Sequence, residues 1–133
     1  MCVDDVEWEQ LDWGSTGWVV RPENVPAATK LCVLDVKLDP GKGHDFHTHP
    51  HQEEIILVRS GTIEQWVESD RKFLTAGDAV FIPMGAVHAS FVPAEATEPV
   101  RLFVVLSPSF GPSGYEAIDC STEEPWASIR TPA

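Results

Sequence analysis

The chain has 133 residues, of which 43% are hydrophobic and 23% charged, a balance typical of a globular domain rather than of a disordered chain. Nine lysines and arginines stand against 21 aspartates and glutamates, and the net charge of −12 argues against binding to nucleic-acid phosphates or to an anionic membrane surface. Eleven prolines and nine glycines favour turns and short strands over long helices.

Neither the start of the chain nor its cysteines indicate export. The first residues, 1–5, contain no basic segment and no apolar segment of a signal peptide, and no apolar stretch approaches the roughly 18 residues of a membrane-spanning helix. The three cysteines, Cys2, Cys32 and Cys120, are odd in number and widely spaced. A disulfide framework or a thiolate zinc site is therefore not expected, and the cytoplasm is the expected location.

The predicted elements begin with an N-terminal arm, residues 1–29, which has no clear period. We expect one short strand there, at 17–21, and we expect the arm's tryptophans, Trp8, Trp13 and Trp18, to pack against the body or a partner subunit. Stacking on a ligand is the alternative role for these rings. From Cys32 to Leu38 apolar and polar residues alternate, which predicts a strand with one buried face and an inert core thiol at Cys32.

Further short strands fill the predicted core, residues 30–107. They are expected at 54–60, 62–68, 71–74, 79–82, 88–92 and 100–106. The pattern leaves open which face of 62–68 is buried, although Gln65 and Trp66 must point to opposite sides. The tail, 108–133, is predicted to be mostly irregular, with one strand at 115–118. Evenly spaced short strands predict an all-β sandwich or barrel, and since no linker divides the chain we expect a single domain over residues 1–133.

Histidines are concentrated in one short segment. Four of the five lie within eight residues: His44, His47, His49 and His51. His47 and His49 are two residues apart, so an extended chain points both to one face. Glu54 begins the next strand, and a barrel can aim side chains of non-adjacent strands at one interior point, which would bring in the distant His88.

Three imidazoles and a carboxylate suit a divalent first-row metal, namely manganese, iron, cobalt, nickel, copper or zinc. Calcium and magnesium prefer more oxygen ligands. Four protein ligands leave a coordination position open for water, dioxygen or a substrate oxygen. The alternative interpretation is a histidine-rich surface loop that binds metal only adventitiously.

The spacing of these residues resembles the two motifs of the cupin superfamily. The first motif, G-x5-H-x-H-x(3,4)-E-x6-G, is matched over residues 41–61 by Gly41, His47, His49, Glu54 and Gly61. The second, G-x5-P-x-G-x2-H-x3-N, is matched over residues 77–92 by Gly77, Pro83, Gly85 and His88, with Val92 in place of the closing asparagine.

This resemblance implies an all-β fold, the cupin double-stranded β-helix or jelly-roll barrel. It also implies a metal site with four ligands: His47, His49, Glu54 and His88. Glu53 fits the motif less well than Glu54, because seven residues would then precede Gly61. The other two clustered histidines, His44 and His51, are expected in loops at the barrel mouth, with a role of His51 toward the substrate as the alternative.

By the same resemblance, the chain is expected to be a metal-dependent enzyme, dioxygenase-like or lyase-like, acting on a small oxygen-bearing substrate. Glu54 could double as a base. Candidate pocket residues come from the strand faces: His51, Gln65, Trp66, Phe81, Ser90 and Phe103. The alternative function is a non-catalytic, sugar-like binding or sensing module. Small cupins commonly form homodimers, which the N-terminal arm and the apolar residues at 55–57 would suit.

Overall fold

The computed structural model describes residues 6–130. Residues 1–5 and 131–133 lie outside the described residues. Cys2 and the first residues, where no signal peptide is expected, are among them. The strands and the helix of the described part are β1 (Glu7–Leu11), β2 (Gly14–Val20), β3 (Cys32–Leu38), β4 (Gly43–Thr48), β5 (Glu53–Ser60), β6 (Thr62–Val67), β7 (Asp70–Thr75), β8 (Ala79–Ile82), β9 (His88–Phe91), β10 (Val100–Ser107), β11 (Ile118–Asp119) and α1 (Trp126–Ile129).

The strands form two antiparallel sheets, which confirms the predicted all-β class. The first sheet has six strands in the order β1-β2-β3-β10-β5-β8, and the second has five in the order β11-β4-β9-β6-β7. Strand β10 lies between β3 and β5, and its residues alternate strictly between buried and half-buried. The buried set, with Leu38, Ile56 and Ile63, fills the space between the sheets as one apolar core.

The N-terminal arm is more regular than predicted. Strands β1 and β2 form a hairpin that extends the first sheet beyond β3, so the short strand expected at 17–21 is part of a longer one. Trp18 is buried in the core and Trp13 packs against it, whereas Trp8 stays half-exposed on the outer side. The hairpin was hard to predict because the inner face of β2 carries glycine and threonine beside its one large side chain.

A second apolar cluster covers the outer face of the five-stranded sheet. It contains Phe46, Trp66 and Phe91, and α1 packs onto it through Trp126 and Ile129. The tail is therefore only partly irregular. Trp66 belongs to this outer cluster, so Gln65, its neighbour in the chain, points to the interior. The open question about residues 62–68 is settled by this alternation.

Cys32 and Cys120 are buried free thiols. Burial raises the pKa of the Cys32 thiol to about 12, which makes it unreactive. Within residues 6–130 no helix has the length and apolar character needed to span a membrane.

Candidate metal centre

An irregularity in β4 determines which histidines face the interior. His47 pairs with His88 of β9 and His44 pairs with Ser90, but the register shifts between the two pairs. In a regular strand, residues three apart point to opposite faces, whereas the shift here turns both His44 and His47 inward. The imidazoles of His44 and His47 stack with their centroids 3.7 Å apart. The expectation that His44 lies in a loop is therefore wrong.

The turn of the second motif holds the histidine segment of the first motif in place. Gly85 has φ of 79°, a conformation that favours glycine, and its N–H donates to the carbonyl of His49 at 3.1 Å. Thr48 Oγ1 donates to the carbonyl of Gly85 at 2.8 Å. Because these bonds join the segments before His88 and around His49, the two motifs converge on one interior point.

Three imidazoles share that point: the ligand atoms of His47, His49 and His88 all lie within 4.8 Å of one another. Each ring also contacts a backbone carbonyl through Nδ1, at 2.7 Å to Asp45, 2.8 Å to Glu116 and 3.1 Å to Ala86, respectively. A carbonyl only accepts hydrogen bonds, so each Nδ1 carries a proton, and each ring in its neutral form presents the lone pair of Nε2. Three oriented lone pairs of this kind could bind a metal ion.

Glu54, at the start of β5, brings a carboxylate next to two of these three imidazoles. Its Oε1 lies 2.8 Å from Nε2 of His88 and 3.5 Å from Nε2 of His49. Ligands about 2.1 Å from one metal stand roughly 3.0 to 3.4 Å from each other, and the two separations lie within about 0.2 Å of this range, so small adjustments would suit a shared ion. Among the described residues, Glu54 Oε1 and His88 Nε2 are also buried without a hydrogen-bond partner of acceptable geometry. Burying such atoms is costly, and a bound cation would satisfy both.

Burial and the contact between Glu54 and His88 determine the direction in which each pKa of the site is shifted. Burial lowers the pKa of His49, and burial together with the neighbouring imidazoles holds the pKa of His47 well below its ordinary value. For His88, burial alone would lower the pKa, but the Glu54 carboxylate outweighs it and raises the value. Burial alone would raise the pKa of Glu54, whereas the charges of His88 and His49 hold it below its usual range.

These histidines form one wall of a cavity between the sheets. The cavity has a volume of about 50 Å³, which is room for roughly four water molecules. The opposite wall is apolar and includes Leu34, Ile56 and Leu102. The polar and aromatic lining residues that the sequence did not single out for this site are Thr16, His44 and Tyr115. Trp13, for which stacking on a ligand was the alternative role, also lines the cavity.

Of the predicted pocket residues, the structure places only Ser90 on this cavity wall. Gln65 is buried directly behind it. Phe81 and Phe103 are on the outer face of the six-stranded sheet, and Trp66 is under α1. In all three cases the alternation along the strand turns the ring away from the interior.

His51 is outside the cavity as well. Its side chain is 60% exposed, and its ring stacks on Phe110 in the tail with centroids 4.8 Å apart. Nδ1 of His51 lies 3.5 Å from a carboxylate oxygen of Glu116. His51, which was expected at the mouth of the barrel, therefore contacts the tail. It does not join the three converging imidazoles.

Comparisons with known proteins agree with this architecture. The family model of the cupin domain matches residues 34–106, more than half of the chain. Mannose-1-phosphate guanylyltransferase of Escherichia coli (strain K12) is 29% identical over 96 residues, covering 69% of this chain and 20% of that protein. Auxin-binding protein ABP19b of Prunus persica is 39% identical over 70 residues, covering 47% and 34%. The chain spans about a fifth to a third of the length of these two relatives.

Solved structures show the same fold. KdgF from a Halomonas species superposes with a TM-score of 0.65 at 24% identity, covering 77% of this chain and 87% of that one. The oxalate decarboxylase of Lactobacillus farciminis gives a TM-score of 0.74 at 21% identity, covering 88% and 34%. At these identities the likeness concerns the fold.

Proposed function

This chain belongs to the cupin domain family, and we propose that it is a metal-dependent enzyme of the oxygenase or lyase type that acts on a small, oxygen-bearing organic substrate. The observation that carries the proposal is the convergence of three Nε2 lone pairs and one buried carboxylate on the wall of a mostly apolar cavity. We propose His47, His49, Glu54 and His88 as the metal ligands. Enzymes commonly place an accessible metal in a dry, shaped cavity of this kind.

A divalent transition metal held by these residues would supply Lewis-acid or redox chemistry to a bound oxygen group. The donor set accepts manganese, iron, cobalt, nickel, copper and zinc, and it is poor in the oxygens that calcium and magnesium prefer. Should Glu54 leave the metal, its carboxylate would be the base nearest to the site.

The polar groups of the cavity indicate which hydrogen-bonding groups a substrate should carry. Ser90 donates its hydroxyl proton to Gln65 Oε1 at 2.6 Å, and Gln65 Nε2 is itself committed to the carbonyl of Trp66 at 3.0 Å. Ser90 therefore offers only acceptor lone pairs to the cavity. Burial raises the pKa of the Tyr115 phenol, so this group stays protonated and can act as a donor. A substrate that carries both a donor and an acceptor, such as a hydroxy acid or a hydroxy ketone, fits this arrangement.

The size and charge of the cavity limit the substrate further. A volume of about 50 Å³ suits a ligand of only a few non-hydrogen atoms unless the mouth opens. Among the described residues that line the cavity, none is a lysine or arginine. This favours a neutral substrate, or one whose charge the metal itself compensates, over a phosphate ester.

The test is the metal content of untagged protein purified without added metal, measured beside three variants. We expect about one equivalent of a transition metal in the wild type, and its loss in His47→Ala and in His88→Ala. His51→Ala is the matched control, since it removes an exposed imidazole from the same segment and should leave the metal in place. If the wild type holds no metal and takes up none on titration, the proposal is wrong. Turnover of small hydroxy and keto acids under air and under nitrogen then separates oxygenase from lyase chemistry.

The second candidate is a non-catalytic module that binds a sugar-like or other small molecule. It is favoured by the 39% identity to a protein named for auxin binding. Metal-loaded protein that binds a small ligand and leaves it unchanged, under both air and nitrogen, would support this candidate over the enzyme.

A further inference from the structure

Gln52 lies between two of the proposed metal ligands without belonging to the ligand set. Its backbone N–H donates to the carbonyl of His49 at 3.3 Å, which closes a turn. From there into β5 buried and exposed residues alternate, so Gln52 and Glu54 share the inner side. Only 2% of Gln52 is exposed, and a buried amide is costly unless its polar groups are paired.

The side-chain amide of Gln52 is bonded at both ends to the tail. Nε2 donates to the carbonyl of Pro108 at 2.8 Å and to the carbonyl of Gly114 at 2.9 Å. Oε1 accepts from the backbone N–H of Glu116 at 3.2 Å. An amide group can donate twice and accept at the same time, whereas an ionised carboxylate only accepts and an apolar side chain does neither. The residue type at this position therefore matches three separate backbone groups.

Two of these bonds lie on either side of Tyr115. Gly114 and Glu116 are its neighbours in the chain, so Gln52 holds the backbone before and after the phenol that lines the cavity. The ring of Tyr115 is edge-on to the ring of His49, with centroids 5.7 Å apart. The carbonyl of Glu116 contacts Nδ1 of the same imidazole at 2.8 Å. One buried side chain thus places two groups that meet at His49.

The Glu116 carbonyl determines which nitrogen of His49 is available to a metal ion. A neutral imidazole carries its proton on either nitrogen, and the hydrogen bond made by one nitrogen selects the form. With the carbonyl in place, the proton is on Nδ1 and Nε2 keeps its lone pair. Without it, the Glu54 carboxylate, 3.5 Å from Nε2, would favour the form protonated on Nε2. In that form Nε2 has no lone pair left for a metal.

We propose that Gln52 is a positioning residue of the metal centre, which holds the Glu116 carbonyl on His49 and thereby keeps the proton of that imidazole on Nδ1. The consequence for metal binding rests on the proposed function. The position of the proton does not, because it can be observed in metal-free protein.

The first test is NMR spectroscopy of metal-free protein with isotope-labelled histidines at pH 8. Burial lowers the pKa of His49, so the ring is neutral there. In the wild type we expect its proton on Nδ1, with the signals assigned by comparison with His49→Gln. Gln52→Met keeps the length of the side chain without its polar groups, and should shift His49 toward the form protonated on Nε2. Gln52→Asn is the milder second variant: its amide is one methylene too short for all three partners, so a mixture of both forms is expected.

The matched control is Gln65→Met. Gln65 is also 2% exposed and bonded at both ends of its amide, but its partners are Ser90 and Trp66. This variant should therefore lose stability and keep the His49 proton on Nδ1. A wild type with the proton on Nε2 overturns the proposal, and so do Gln52 variants that keep it on Nδ1. The same proton shift in Gln65→Met would also overturn it, because the shift would then reflect a general loss of stability.

The second test is the affinity for cobalt(II), measured by competition with a chelator. Gln52→Met should bind this ion about tenfold more weakly than the wild type, and Gln65→Met should bind it like the wild type. If Gln52→Met and the wild type bind it equally, Gln52 is not a positioning residue for a metal. A wild type that binds no cobalt(II) contradicts the proposed function, while the NMR result still decides whether Gln52 controls the proton of His49.

Discussion

Replacing His44 by phenylalanine should reduce the acid sensitivity of the metal-free protein. His44 stacks on His47 on one side and on Trp13 on the other, where the centroids are 5.1 Å apart. Burial lowers the pKa of His44 from 6.5 to about 4. Between these values the unfolded chain binds a proton that the folded chain excludes. The contribution of neutral His44 to the free energy of unfolding is therefore complete above pH 6.5. It is lost as the pH falls toward 4.

The magnitude follows from the size of the shift. A depression of 2.5 pKa units, from 6.5 to about 4, corresponds to about 3.4 kcal/mol at full effect. At pH 5 the linkage relation gives about 2 kcal/mol, because the unfolded histidine is then almost fully protonated and the folded one is still mostly neutral. Phenylalanine keeps an aromatic ring in the stack but has no proton to bind.

The assay is urea unfolding of chelator-treated protein at pH 8 and pH 5. Between these two values the free energy of unfolding of the wild type should fall by about 2 kcal/mol more than that of His44→Phe. His47 and His49 titrate in both proteins. Loss of the His44 charge also relieves part of the lowering of the His47 pKa, which changes the pH dependence in the same direction. His51→Phe is the control for the added phenyl ring, since it makes the same substitution at a side chain that is 60% exposed. If the free energy of unfolding falls equally in the wild type and in His44→Phe between pH 8 and pH 5, the reasoning is refuted.

Three further predictions concern the site and its supports. Glu54→Gln should weaken metal binding about tenfold or more in a chelator competition, because it removes the charge that balances the cation. An unchanged affinity for the metal would exclude the carboxylate as a ligand. Gln52→Leu should lower the free energy of unfolding by roughly 2–4 kcal/mol, because the carbonyls of Pro108 and Gly114 lose their buried donor; a urea midpoint like that of the wild type would contradict this. Gly43→Ala should cost about 1–3 kcal/mol in the same assay, since the added methyl would collide with the backbone of β9; an unchanged midpoint would show that β9 yields freely.

The spacing of the motifs predicted which residues converge at the site, because such spacings report backbone geometry directly. His47 and His49 need only an extended chain to share a face, and Gly85 marks the turn that brings the strand of His88 alongside. The role of His44 could not be predicted in this way. It is three residues from His47, an odd separation that places two side chains on opposite faces of any regular strand. Only the register shift in β4 brings them together, and no residue type in that stretch signals a shift.

The pocket residues were harder to predict because apolar strands lack a visible period. The sequence of β10 is nearly continuous in apolar residues, so it does not show that Phe103 points outward. Phe81 has the same difficulty on a strand of only four residues. Both rings lie on the outer face of the six-stranded sheet. A strand that is apolar on both sides lacks the contrast between faces on which such predictions depend.

The carbonyl of Glu116 gives the tail a part in the proposed metal centre. It fixes the ring of His49, yet it is ten residues beyond the last residue that matches the cupin family model. A protein trimmed to the matched residues would keep all four proposed ligands and lose the group that orients one of them. Two chains with identical motifs could thus differ at this site only in the path of the segment after the barrel. Boundaries drawn from sequence similarity would leave part of the proposed site outside.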